Sequence, residues 1–157
     1  MTDDDLVLRD GVVEFARPAR PPLSVRVNGS AINSITERAQ ALQAWKVRVA
    51  SAVKAVRGGE PWKTADTYAV TLAFTFYPPN HGNQRLDLDN FVKPVIDALA
   101  AGLFCPAQIN PRDIPRWDYD DSNFNTLLVQ RLPDATTMGG EGVTVSVSSA
   151  QQPQVAP

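Results

Sequence analysis

Three carboxylates and an ammonium fall within eleven residues of this chain, in Asp87-Leu88-Asp89-Asn90 followed by Lys93 and Asp97. Magnesium chemistry on phosphate uses such a set. Mg²⁺ takes hard oxygen ligands and keeps several waters, so one or two carboxylates at a strand or loop end can seat it beside a phosphodiester. Lys93 would then meet the charge that the metal leaves uncompensated. The same residues also fit a plainer role, since Asp89 or Asn90 is a suitable cap for a helix starting near Phe91. A calcium loop starting at Asp87 is a poor fit: its sixth and twelfth positions would need Gly and Glu, and the chain has Val92 and Ala98 there.

The elements that must position these groups can be read on either side. Val12 to Ala16 reads as a short first strand, and Pro18, Pro21 and Pro22 impose an extended connection. Leu23 to Val27 and Ser30 to Asn33 flank Asn28-Gly29, a dipeptide that favours a two-residue turn, and together they read as a β-hairpin. Ser34 to Glu37 matches a capping box. Ile35, Ala39, Leu42, Trp45, Val49, Val53 and Val56 then recur at helical spacing until Gly58-Gly59 ends the helix. Its opposite face carries Arg38, Lys46, Arg48, Lys54 and Arg57. Tyr68 to Phe76 alternates as a half-buried strand does. After the loop from Pro78 to Asn83 comes the acidic motif, whose helix is expected to begin near Phe91 or to bend at Pro94. Leu103 to Tyr119 reads as an irregular insertion, Phe124 to Leu132 and Val143 to Val147 as strands joined by a glycine-bearing loop, and the segment after Ala150 as a disordered tail.

With 157 residues and 43% hydrophobic content, the chain supports one core. The expected organisation is an acidic, flexible start over 1–10, a single domain over 11–149 and a tail over 150–157. The expected class is α/β (α+β), with a small mixed or antiparallel sheet and two main helices. A lone cysteine, Cys105, excludes an internal disulfide and a cysteine-built zinc site, and the sole histidine, His81, argues against a Ser-His-Asp triad. The acidic first residues and the lack of a long apolar run point to a cytoplasmic protein with no membrane partner. The net charge of −2 hides a segregation: residues 17–64 carry nine basic groups against two acidic ones, and residues 65–121 carry eight acidic against four basic. A basic surface beside an acidic pocket suits an enzyme that holds a polyanion while carboxylates hold a metal, although a solvated basic helix face would look the same.

At these residues the chain resembles the RusA-type Holliday junction resolvases, metal-dependent endonucleases of bacteria and their phages. Their D-x-D-N-x-x-K-x-x-x-D-A-L segment is matched at every fixed position by Asp87 to Leu99, and their Asp-Asp pair before a strand is matched by Asp120-Asp121 ahead of Phe124 to Leu132 and Pro133. The resemblance implies Asp87, Asp89 and Asp121 as metal ligands, with Lys93 as the catalytic lysine and Asp97 and Asp120 in support. Asp97, one helical turn beyond Lys93, would orient or pair with it. Mg²⁺ is the implied cofactor, replaceable by Mn²⁺, and a homodimer cutting four-way DNA junctions is the implied assembly. The segment 103–119 is longer than the family's usual link, which leaves Asp113 and Asp118 as competitors for the third ligand. Arg20, Arg26, Arg38, Lys46 and Arg48 are the candidate contacts to the DNA backbone. Two other outcomes stay open: a protein that binds branched DNA without cutting it, and a non-specific nuclease acting on flaps and gaps.

Overall fold

The structure is a computed structural model that describes residues 13–14, 22–32, 39–64, 66–77, 88–105, 123–132, 140–149 and 154–155. In chain order the elements are β1 (Val13–Glu14), β2 (Leu23–Asn28), α1 (Ala39–Arg57), β3 (Tyr68–Thr75), α2 (Asp89–Phe104), β4 (Phe124–Arg131), β5 (Gly142–Ser149) and β6 (Gln154–Val155). The main sheet has the order β2-β5-β3-β4 and is mixed: β5 is antiparallel to both neighbours, and β3 and β4 are parallel. β2, β3 and β4 therefore all run one way. Parallel neighbours need a crossover, and α2 provides it between β3 and β4.

Register explains why one face of the sheet is apolar. Three rows cross it: Leu23, Val147, Val70 and Leu127; Val25, Val145, Leu72 and Val129; Val27, Val143, Phe74 and Arg131. The alternate positions form rows of another kind, such as Ser24, Ser146, Thr71 and Leu128. Because side chains alternate across a strand, the first set faces a helical layer and the second faces away. The helical layer contributes Trp45, Val49 and Val53 from α1 and Phe91, Val95, Leu99 and Leu103 from α2, all buried. A register shift beside Tyr68 adds a residue to β4, so Phe124 and Leu127 share the helix-facing side although three positions apart.

The two helices approach closely where Gly102 meets α1: a Cβ there would lie 2.8 Å from the Ala50 carbonyl oxygen and 2.8 Å from Val53 Cβ. The last carbonyls of α2 have definite partners. Arg57 Nη1 donates to the carbonyls of Gly102 at 3.1 Å and Cys105 at 3.0 Å, and the Trp62 amide donates to Leu103 at 2.8 Å. Aromatic groups close both ends of α2. At its N-terminal end Phe91 packs on Phe74 and Phe76, and at its C-terminal end Phe104 packs on Tyr68 and Phe124.

Several expectations from sequence are corrected. Asn28-Gly29 does not close a hairpin: β2 pairs along its length with β5, and the Gly29 amide donates to the Glu141 carbonyl. Val143, Val145 and Val147 continue the apolar rows of the sheet across from Val27, Val25 and Leu23. β4 and β5 are not neighbours either, because β3 lies between them. The expected insertion from Leu103 is helix through Phe104. Gln154–Val155, within the expected tail, pairs antiparallel with Val13–Glu14, so a backbone ladder orders a segment whose composition carried no such signal. Helix α1 appears as expected over its described part and stops at Gly58, whose φ is +91°; Val56, however, is exposed. The capping box, the acidic start and the loop holding His81 lie outside the described residues.

Candidate active site

Asp89 and Lys93 lie one turn apart near the start of α2. The helix begins without a side-chain cap: Leu88 holds the N-cap position in a helical conformation and makes no side-chain capping bond. Asp89 is already within the first turn, so the capping role open to it in the sequence is not the one it takes. Its carboxylate is exposed and has no hydrogen-bond or ion-pair partner among the described residues. A carboxylate at this end of a helix is favoured by the helix dipole without being neutralised by it. Pro94 sits inside the helix and is buried; the first turn is closed instead by the Phe91 amide donating to the Leu88 carbonyl at 3.0 Å.

Lys93 extends from the helix with its side chain 73% exposed, and its Nζ lies 3.3 Å from Asp97 Oδ1. The pairing expected from their spacing is therefore present. Asp97 does more than was expected of it, because its other oxygen, Oδ2, lies 3.3 Å from Lys46 Nζ on α1. Lys46 is only 15% exposed. Its place is the shoulder of the apolar stripe, one turn before the buried Ala50, where the two helices meet.

Asp89 and Lys93 stand on the rim of a groove of about 430 Å³. Its floor is apolar: Leu88, Val92 and Ile96 from one side of α2, and Phe124, Leu127 and Val129 from β4. Helical spacing supplies the first three, and the extra residue at the start of β4 brings Phe124 into line with Leu127. Sequence reading missed this groove. The signal was there in Leu88, Val92 and Ile96, a second apolar stripe on α2 beside the one formed by Phe91, Val95 and Leu99.

The other candidate residues divide into those described elsewhere and those not described. Arg26 Nη2 donates to Thr75 Oγ1 at 2.7 Å and to the Gly140 carbonyl at 2.8 Å, and Arg26 Nε donates to Asn28 Oδ1. Arg48 Nη1 donates to the Asn28 carbonyl at 2.9 Å. Arg26, Lys46 and Arg48 thus all bind within the protein. Asp87, Asp120, Asp121, Arg20, Arg38, Asp113 and Asp118 lie outside the described residues. Among the described residues no three His, Cys, Asp or Glu side chains gather as a metal-holding group, and Asp89 is the one expected ligand whose position is described. An exposed, unpartnered carboxylate oxygen fits the donor chemistry of a hard divalent cation.

Asn123, two positions after Asp121, is held at the far end of the sheet from Asp89. Its side-chain amide donates to the carbonyls of Thr64 and Asp66, just ahead of β3. Phe124 follows, stacked on Phe104 at 5.9 Å. Between Phe104 and Asp89 runs the whole 16-residue helix, roughly 24 Å long at 1.5 Å per residue.

No family model matches the chain, and comparison with curated proteins finds no match. Among the described residues no helix is long and apolar enough to cross a membrane.

Proposed function

We propose that this protein is a Mg²⁺-dependent, structure-selective endodeoxyribonuclease that resolves four-way DNA junctions, as its resemblance to the RusA-type resolvases implies. The observation that carries the reading is the pair on the groove rim: an Asp89 carboxylate with no partner among the described residues, one helical turn from an exposed Lys93. A residue that only capped the helix would not leave its carboxylate free. Asp87, Asp89 and Asp121 would hold the metal, which when bound polarises a phosphate and lowers the pKa of an attacking water. Lys93 offsets the negative charge that develops on the phosphoryl oxygens, the electrostatic part of catalysis that usually contributes most. The chain's own part is positional, with the first two turns of α2 presenting both groups to one strand.

The placement of Asn123 supports a two-subunit site. Asn123 is tied to Thr64 and Asp66, ahead of β3, whereas Asp89 leads into Phe91, which packs on Phe76 beyond the end of β3. A second copy offers a shorter route. β4 is an edge strand with no partner on its outer side among the described residues, and Leu127 and Leu128, on its opposite faces, are 47% and 52% exposed. Soluble proteins usually protect such edges with charge, proline or a covering segment. Antiparallel pairing of two β4 strands about a two-fold axis would cover both leucines and bring the start of one β4 toward the other subunit's Asp89.

The deciding experiment is cleavage of a synthetic four-way junction with and without Mg²⁺, against duplex and flap controls. Junction-selective, Mg²⁺-dependent cutting supports the reading. Binding without cutting turns it into a branched-DNA-binding protein, and equal cutting of flaps makes it a general nuclease.

A further inference from the structure

We infer that Lys46 is a positioning residue for the catalytic lysine: it holds and neutralises Asp97 so that Lys93 keeps a net positive charge at the groove rim. The inference rests on the nuclease reading of Asp89 and Lys93. It starts from two equal distances, 3.3 Å from Asp97 Oδ2 to Lys46 Nζ and 3.3 Å from Asp97 Oδ1 to Lys93 Nζ.

A lysine paired with a single aspartate forms a neutral couple. The field that it offers to an approaching phosphate is that of a dipole, and this falls off faster than the field of a charge. With Lys46 in place, two ammoniums share one carboxylate, and the cluster carries +1 (two positive charges, one negative). The division of exposure fits this division of labour. Lys46, at 15% exposure, cannot reach DNA easily, whereas Lys93, at 73%, can. Low exposure also strengthens the inner pair, because water screens it less. Asp97 is then fixed from α1 at one oxygen and presents the other to Lys93.

Lys46 lies where it can do this because of the close approach of the helices. Lys46 faces Asp97, and further along both helices Ala50 and Val53 face Gly102. The first contact sets the charge of the rim, and the second sets the distance at which it is made.

The test uses Lys46→Met, which keeps the aliphatic stem, Lys46→Gln, which keeps a donor without the charge, Lys46→Arg, and the double variant Lys46→Met/Asp97→Asn. Single-turnover junction cleavage by the Met and Gln variants should fall by about 10- to 100-fold, the range expected when an electrostatic contribution is weakened. Arg should restore most of the rate. The double variant should cut faster than Lys46→Met alone, because no carboxylate remains to neutralise Lys93. A readout independent of cleavage is titration with inorganic phosphate, followed by the Lys93 side-chain NMR signals. Phosphate should perturb them in the wild type, several-fold less in Lys46→Met, and again in the double variant. Wild-type rate and titration in Lys46→Met would overturn the inference. So would a double variant no better than the single one, or a Lys46→Met defect confined to junction affinity and its salt dependence, which would make Lys46 a direct phosphate contact. If the wild type cuts no DNA, the nuclease reading fails, while the phosphate titration still decides the role of Lys46.

Discussion

Phe91 and Phe104 anchor opposite ends of α2 to different strands: the Phe91 ring lies 5.0 Å from Phe76, just beyond β3, and the Phe104 ring 5.9 Å from Phe124, the first residue of β4. Asp89 and the start of β4 are thereby held apart within one subunit.

A mixing experiment follows from that separation. Asp89→Asn and Asp121→Asn subunits are each expected to be inactive alone, but mixed dimers should regain one intact site if each site draws Asp89 from one subunit and Asp121 from the other. Nicking of a cruciform plasmid by the mixture is the expected result. A mixture as inactive as its components would return Asp121 to the same subunit as Asp89, or remove it from the site.

Asp89→Asn and Lys93→Ala should each reduce cleavage by at least about 10²-fold, in line with loss of one positioned electrostatic group. Junction affinity should stay close to that of wild type, since it comes from other cationic contacts to phosphate. The measurement is single-turnover cleavage alongside binding at two salt concentrations. Asp87→Asn is expected to match Asp89→Asn.

Arg26 reads in the sequence as a phosphate contact, and in the structure its guanidinium donates to Thr75, Gly140 and Asn28. Arg26→Ala leaves Thr75, fully buried beside Gly140, without one of its hydrogen bonds. The expected cost is about 1–3 kcal/mol of stability, read as a lower melting temperature. The salt slope of DNA binding should not change. A slope smaller by about one unit would restore Arg26 to the DNA interface.

Gly102→Ala places a methyl group against Val53 and the Ala50 carbonyl. Overpacking at such a contact costs about 1–3 kcal/mol. Thermal or denaturant unfolding checks the loss, and unchanged stability would mean that the helices can part without penalty.

Leu128→Lys tests the free edge of β4. The side chain is half exposed, so subunit stability should change by no more than about 0.5 kcal/mol. The molecular mass by sedimentation should fall to that of one chain. A dimer that survives this charge places the two-fold contact elsewhere.

What could be read from sequence depended on the range of the interaction. The Lys93 and Asp97 pair is local, four residues apart on a helix, and was foreseen. So was the stretch of α1 from Ala39 to Arg57, whose apolar period and Gly58 stop both act within a few residues. The hairpin at Asn28-Gly29 failed for the opposite reason. Its turn propensity is local, but β2 gains more apolar contact from β5, more than a hundred residues away. Lys46 reads in the sequence as one of several candidate contacts to the DNA backbone, because only the crossing of α1 with α2 shows that its ammonium meets Asp97. The groove is only half legible: Leu88, Val92 and Ile96 show a second apolar stripe on α2, but that β4 lies beside it depends on the fold.

The placement of β5 also bears on how the chain acquires its structure. One of the two inner strands of the sheet, β5, bonds to both β2 and β3 and follows both in the sequence. As a ribosome releases the chain, β2 and β3 are complete long before the strand that joins them exists. β3, α2 and β4 can assemble in the meantime, with α1 packed on α2. Long-range strand pairing is slow to form. A chain released before Gly142 would leave β2 and the β3–β4 pair without the strand that bonds to both, each with an edge open to pairing with another chain.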